Sequence, residues 1–119
     1  SCYSMLEGAM QPGAIAAAVR AGGFPAVAVA DRNAMFGAME FCDAAKDKGV
    51  QPITGALVAV ARPDAARPQC DWLVLLAAND VGYANIVALV SHAHLSGDGT
   101  QTPHLKLADL DGRSDGVIA

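Results

Sequence analysis

The segment AVAVADRNAMFGAMEFCDAAKDK, residues 26–48, decides the fold class. Its first five residues, Ala26 to Ala30, are small and apolar on both faces, which is how a short strand buried in a parallel sheet reads. From Met35 the spacing changes. Met35, Met39 and Cys42 fall close to one stripe while Asp43, Lys46 and Asp47 fall largely off it, so a helix is expected over 35–48 with Gly49 as its stop. Between the two elements stand Asp31, Arg32 and Asn33. In α/β proteins active sites gather at the carboxyl ends of strands. Asp31 there reads as a metal ligand, a base or an orienting group, or else as a turn or cap residue. Arg32 cannot ligate a cation, and its fixed positive charge opposes one nearby. Asn33 is expected to cap a helix beginning near Ala34.

Both flanks extend the alternation. Upstream, Pro12 suits the first position of a helix through AIAAAVRAGG, which Gly22 and Gly23 stop. Downstream, PITGALVAVA (52–61) reads as a strand interrupted by Gly55, and RPDAARPQ (62–69) as a loop or hairpin connection. WLVLLAA (72–78) reads as another buried strand. Asn79 and Asp80 cap a helix running to about Leu95, with Tyr83, Ile86, Val87 and Val90 as its apolar face. SGDGTQTP (96–103) is loop, LKLADL (105–110) a short helix, and GVIA (116–119) the opening of a strand. The pattern is an α/β sheet covered by helices, largely parallel in its βαβ parts.

Bulk properties narrow the function. A chain of 119 residues, 53% hydrophobic, suits one globular domain built on small aliphatic side chains. With a formal net charge of −4 and eight scattered basic residues, this segment carries no nucleic-acid-binding stripe. Cys2, Cys42 and Cys70 are too far apart for a disulfide framework or a zinc C-x-x-C pair, which points to a reducing cytoplasm. No apolar run approaches the roughly 18 to 20 residues of a membrane span. No signal peptide is visible, and the absence of an initiator Met places the expected N-terminus upstream.

His92 and His94 form an H-x-H pair, but on a helix they point about 200° apart and cannot share an ion. Each is expected to be packed or solvent-facing, and His104 to be a loop residue. Cys2 and Cys42 read as small packing residues. No phosphate-binding glycine loop, nucleophile elbow or H-E-x-x-H helix occurs.

Four blocks resemble the PHP (polymerase and histidinol phosphatase) domain of bacterial DNA polymerase III α subunits. SCYSMLEGA (1–9) is similar to S-x-Y-S-M-L-(D/E)-G-A. VADRNAMFGAMEF is similar to the family's strand followed by T-D-(H/x)-x-N-L-x-G. QPITGALV is similar to K-P-I-x-G-(A/C)-(E/D). LLAANDVGYANIVALVSHAH (75–94) is similar to L-A-x-N-x-x-G-Y-x-N-L-x-x-L-x-S, the most specific of the four. The blocks stand in the family's order over nearly the whole chain.

The resemblance implies a partial PHP-type distorted seven-stranded βα barrel, truncated at both ends, at the N-terminus of a much larger polymerase subunit. Intact members hold divalent metals at the strand ends with His, Asp, Glu and Cys. Here Glu7 and Asp31 keep carboxylates, whereas Arg32 stands where competent members carry His. Leu57 falls where the third block has an acid, and Trp72 aligns with another His position. The five are thus expected to be vestigial site positions, with no catalytic residue and no metal in this segment. Any ion that did bind would use Glu7 and Asp31.

The implied role is a structural domain that braces the polymerase and docks a proofreading exonuclease subunit. Mg²⁺, DNA and the sliding clamp would be engaged by other domains of the subunit. The competing reading is an active metal-dependent phosphoesterase or 3′–5′ exonuclease using Zn²⁺ or Mn²⁺. An excised piece of barrel is also expected to self-associate through its strand edges and apolar faces.

Overall fold

In the computed structural model, residues 1–63, 69–97, 99 and 101–119 are described. Pro12 starts the first helix, α1 (Pro12–Ala21), where its missing N–H loses nothing. The first strand, β1, spans Ala26–Arg32, so Asp31 and Arg32 belong to the strand rather than to the turn after it. A second helix, α2 (Ala38–Asp47), leads to β2 (Gln51–Ala61). Then follow β3 (Cys70–Ala77), α3 (Asp80–Leu95), a single 3₁₀ turn at Leu107–Leu110 and the two-residue β4 (Val117–Ile118).

The sheet runs β1-β2-β3-β4. Strands β1 and β2 are parallel across the α2 crossover, as a βαβ unit requires. The next two pairs are antiparallel. The sheet is therefore mixed, and the expected loop or hairpin connection at 62–69 falls mostly on residues 64–68, outside the described residues. Four strands and three α-helices make a mixed α/β fold.

Several local expectations are corrected. The α2 helix begins at Ala38, not near Ala34, because the chain first turns through residues 36–37; Gly37 stands at its N-cap. Its buried side is Ala38, Phe41 and Ala45, and Met39 is 72% exposed. Gly55 does not interrupt β2. It sits where a Cβ would lie 2.3 Å from the Leu75 carbonyl oxygen, so glycine there permits close pairing with β3. On α3 the buried residues are Gly82, Ile86, Leu89 and Ala93, while Tyr83 and Val87 are each 40% exposed.

All three helices pack against the sheet, α1 and α2 over β1 and β2, and α3 over β2 and β3. Ala56, Val58, Leu75, Ile86, Leu89, Ala93 and Leu105 form the larger core cluster, and Ala16, Ala45 and Val50 a smaller one. Register fixes what faces this core. Asp31, Ala56 and Leu75 share one row and are all buried. Arg32, Leu57 and Val74 form the next row, on the opposite face. Trp72, Val74 and Ile118 on that face are partly exposed. Contrary to its expected burial, β3 is covered on one side only.

Asn79 caps α3 as its sequence implies, its side-chain oxygen accepting from the Gly82 amide at 3.0 Å. Gly82 has a separate reason to be glycine: a Cβ there would lie 1.8 Å from the Gly116 carbonyl oxygen. The residues of the N-D-V-G turn thus seat the chain leading into β4 against the start of α3.

Candidate functional site

Asp31 lies at the carboxyl end of β1 with 1% of its surface exposed. Three donors saturate it. The Ser1 backbone nitrogen and the Ser4 hydroxyl each donate to Oδ1 at 2.7 Å, and the Ser1 hydroxyl donates to Oδ2 at 2.7 Å. Burial pushes its carboxyl up, but the hydrogen bonds donated by Ser1 and Ser4 outweigh that and hold it below the ordinary aspartate value. Ser4 also accepts from the Arg32 amide at 3.1 Å, so one hydroxyl joins the N-terminal turn to two consecutive strand residues.

Arg32 points to the opposite face. Its guanidinium carbon sits 4.0 Å from the centroid of the Trp72 ring, and Nη1 forms an ion pair with Glu7 Oε1. Leu57 lies on β2 directly across from Arg32, and Trp72 pairs with Ala59 one step further along the same face. The structure therefore brings four of the five candidate positions, Glu7, Arg32, Leu57 and Trp72, to one patch of the open face at the strand end. The fifth, Asp31, stands behind them, on the core face.

Asn33 is not the helix cap its position suggests. It adopts φ 47° and is 7% exposed. Its amide nitrogen donates to the Pro103 carbonyl at 2.8 Å, and its side-chain oxygen accepts from the Ala59 amide at 3.2 Å. His94 Nε2 donates to the Asn33 carbonyl at 2.7 Å. Asn33 is thus a junction of β1, β2, α3 and the 101–106 segment. Sequence reasoning missed His94 at this site. The signal available was its place in the last turn of the helix that follows the sheet, and the partner that brings it in is 61 positions away.

Tyr3, Met5, Arg32, Phe36, His94 and Pro103 line a cleft of about 300 Å³ beside the strand end, mostly apolar in its walls. His92 is elsewhere, 3.4 Å from Asp109, so the two histidines of the H-x-H pair do diverge. His104 contacts the Thr102 carbonyl, as a loop residue would. All three cysteines are free.

The donor set does not fit a multinuclear metal centre. Asp31 is engaged by three hydrogen bonds, Glu7 is paired with a guanidinium, and Arg32, Leu57 and Trp72 offer no ligand atom. Among the described residues, no group of three or more His, Cys, Asp or Glu side chains is placed to hold an ion. Among them, too, no helix is long and apolar enough to cross a membrane.

A strand-end acid in a mixed α/β sheet is consistent with a PHP-type domain, and the PHP domain family model matches residues 1–119: the chain belongs to that family. Within it the chain is similar to bacterial DNA polymerases. It is 37% identical over 122 residues to DNA polymerase III subunit alpha of Caulobacter vibrioides, covering 99% of this chain and 11% of that protein. The corresponding subunit of Escherichia coli K12 is 32% identical over 118 residues, with 99% of this chain and 10% of the relative covered. An error-prone DNA polymerase from Anaeromyxobacter sp. strain K is 37% identical over 109 residues, covering 92% and 9%. The chain spans about a tenth of the length of these relatives.

Proposed function

We infer that this chain is the N-terminal PHP domain of a replicative DNA polymerase α subunit whose strand-end metal site has become structural. The observation that carries the reading is the Arg32 guanidinium, held between the Glu7 carboxylate and the Trp72 ring. A fixed cation in that place repels a second one, and Leu57 beneath it supplies no oxygen to neutralise an ion. The domain braces the polymerase fold and offers a surface to a separate proofreading exonuclease subunit. DNA synthesis, with its Mg²⁺, DNA and clamp contacts, belongs to the rest of such a protein.

The partly exposed apolar side chains Trp72, Val74 and Ile118 support a further part of this reading. The face they occupy becomes the interior of a seven-stranded barrel when the remaining strands of the polypeptide cover it. An active phosphoesterase or 3′–5′ exonuclease is the competing reading, favoured by the two carboxylates and by His94 at the cleft.

Elemental analysis decides between them. The complete N-terminal domain is purified without chelator and then offered Zn²⁺ or Mn²⁺. Stoichiometry near zero is expected. One or more tightly held ions per domain would overturn the structural reading and would make DNA-end cleavage the next assay.

A further inference from the structure

The turn formed by Ser1 to Gly8 lies over the end of β1, and its residues Tyr3 and Met5 wall the cleft there. It is an unusual piece of chain to find folded back. Leu6 has φ 68° with its side chain wholly exposed, and Met5 is 85% exposed. Neither anchors the turn. Within it, the Ser4 amide donates to Ser1, and the Glu7 and Gly8 amides both donate to the Ser4 carbonyl.

Two sets of side-chain contacts tie the turn to the sheet end, and the Tyr3 hydroxyl, donating to Glu40 at 2.6 Å, ties it to α2. One is buried, the serine donors on Asp31. The other is half-exposed, the Glu7–Arg32 pair, whose side chains are 49% and 38% exposed. Arg32 in turn is stacked on Trp72, two strands away across β2.

We propose that Glu7, Arg32 and Trp72 act as a strap that holds the N-terminal turn closed over the β1 end, and that ionic strength loosens it. The geometry gives the strap two unlike halves. The carboxylate–guanidinium half is solvent-accessible and screened by salt. The guanidinium–indole half keeps Arg32 pointed along the open face toward Glu7, which limits the rotamer freedom the ion pair must otherwise overcome. Release leaves residues 1–4 on the serine contacts and on Tyr3–Glu40, while residues 5–7 lose their side-chain tie and Leu6 is free to leave its left-handed conformation. Asp31 and the cleft wall are then intermittently bared. The strap needs the Glu7 carboxylate on Arg32 rather than on an ion, and so rests on the metal-free reading of the strand end.

Hydrogen–deuterium exchange read by mass spectrometry tests the strap in the full-length protein, on peptides covering residues 2–10 and 80–95. Glu7→Gln and Arg32→Ala should each speed exchange in the 2–10 peptide roughly three- to tenfold, and leave the 80–95 peptide unchanged. Raising salt from about 0.05 to 1 M should have the same effect on the parent and little on either variant. Glu7→Gln changes a surface group and keeps the fold even where Arg32→Ala disturbs it. Unchanged exchange in the Glu7→Gln variant, or equal salt acceleration in parent and variants, overturns the proposal.

Discussion

Replacing Asp31 by Asn separates a structural carboxylate from a ligand held in waiting. Three donors point at the carboxylate at 2.7 Å in a site that is 1% exposed. A hydrogen bond to a charged acceptor contributes about 1.5–3 kcal/mol and a neutral one about 0.5–1.5 kcal/mol, while neutralising the group recovers part of the cost of burying its charge. In D31N one oxygen becomes an NH₂ facing a donor, so at least one contact is lost and the others weaken. We expect a net loss of about 2 kcal/mol, or roughly 10 °C in midpoint for a domain of this size.

The loss depends on pH with a definite sign. Because the folded carboxyl is held below its ordinary value of 3.8, its contribution is fully present above that value and disappears as pH falls through it and below. The parent and D31N should therefore begin to converge only below pH 3.8 and go on converging as pH falls through the lower folded value. The assay is urea unfolding followed by circular dichroism, with chelator present, at pH 7 and in steps down to about pH 2. A metal ligand retained without its metal is a destabilising group, and its neutralisation would be neutral or stabilising. D31N equal to or more stable than the parent at pH 7 refutes the reasoning.

Two further outcomes follow from packing. Gly82→Ala should destabilise by more than about 2 kcal/mol, although alanine is ordinarily the better helix former, because the new Cβ meets the Gly116 carbonyl at 1.8 Å; an unfolding midpoint at or above the parent's contradicts this. Val74→Lys, on the open face where Val74 is 44% exposed, should lower self-association of the 119-residue chain in sedimentation velocity. It should change stability by no more than about 0.5 kcal/mol, and undiminished association places the contact elsewhere.

Much of this was legible in the sequence where the governing interactions are local. The Asn79 cap lies three residues from the amide it satisfies, and Pro12, Gly23 and Gly49 mark helix ends through backbone preferences of their own. Asn33 was misread because the same residue type serves caps and left-handed turns alike. What decides between them is a pair of partners, Ala59 and Pro103, 26 and 70 positions away. The Arg32–Trp72 stack was similarly hidden. Each residue stood out singly as a departure from its block, but only the antiparallel register of β2 and β3 puts the ring under the guanidinium. On α3 the expected face held at Ile86 and Val90 but missed at Tyr83 and Val87, because that helix is apolar nearly all round and periodicity had little contrast to report.

The division of the interior into two clusters bears on the order in which the chain is made. Six of the seven residues in the larger cluster lie between Ala56 and Ala93, on a hairpin and the helix that directly follows it. Contacts so close in sequence form early, whereas β1 must wait for a partner across the α2 crossover. On the ribosome the order is reversed: the AVAVA strand emerges first and its nucleus last. The nascent chain therefore passes through an interval in which an apolar strand is out of the tunnel with nothing to pair with, a natural station for a chaperone. Protease sensitivity of β1 on ribosome-bound chains, lost once synthesis has carried α3 clear of the tunnel, is the sign of it, and protection before β2 emerges would show that the delay does not occur.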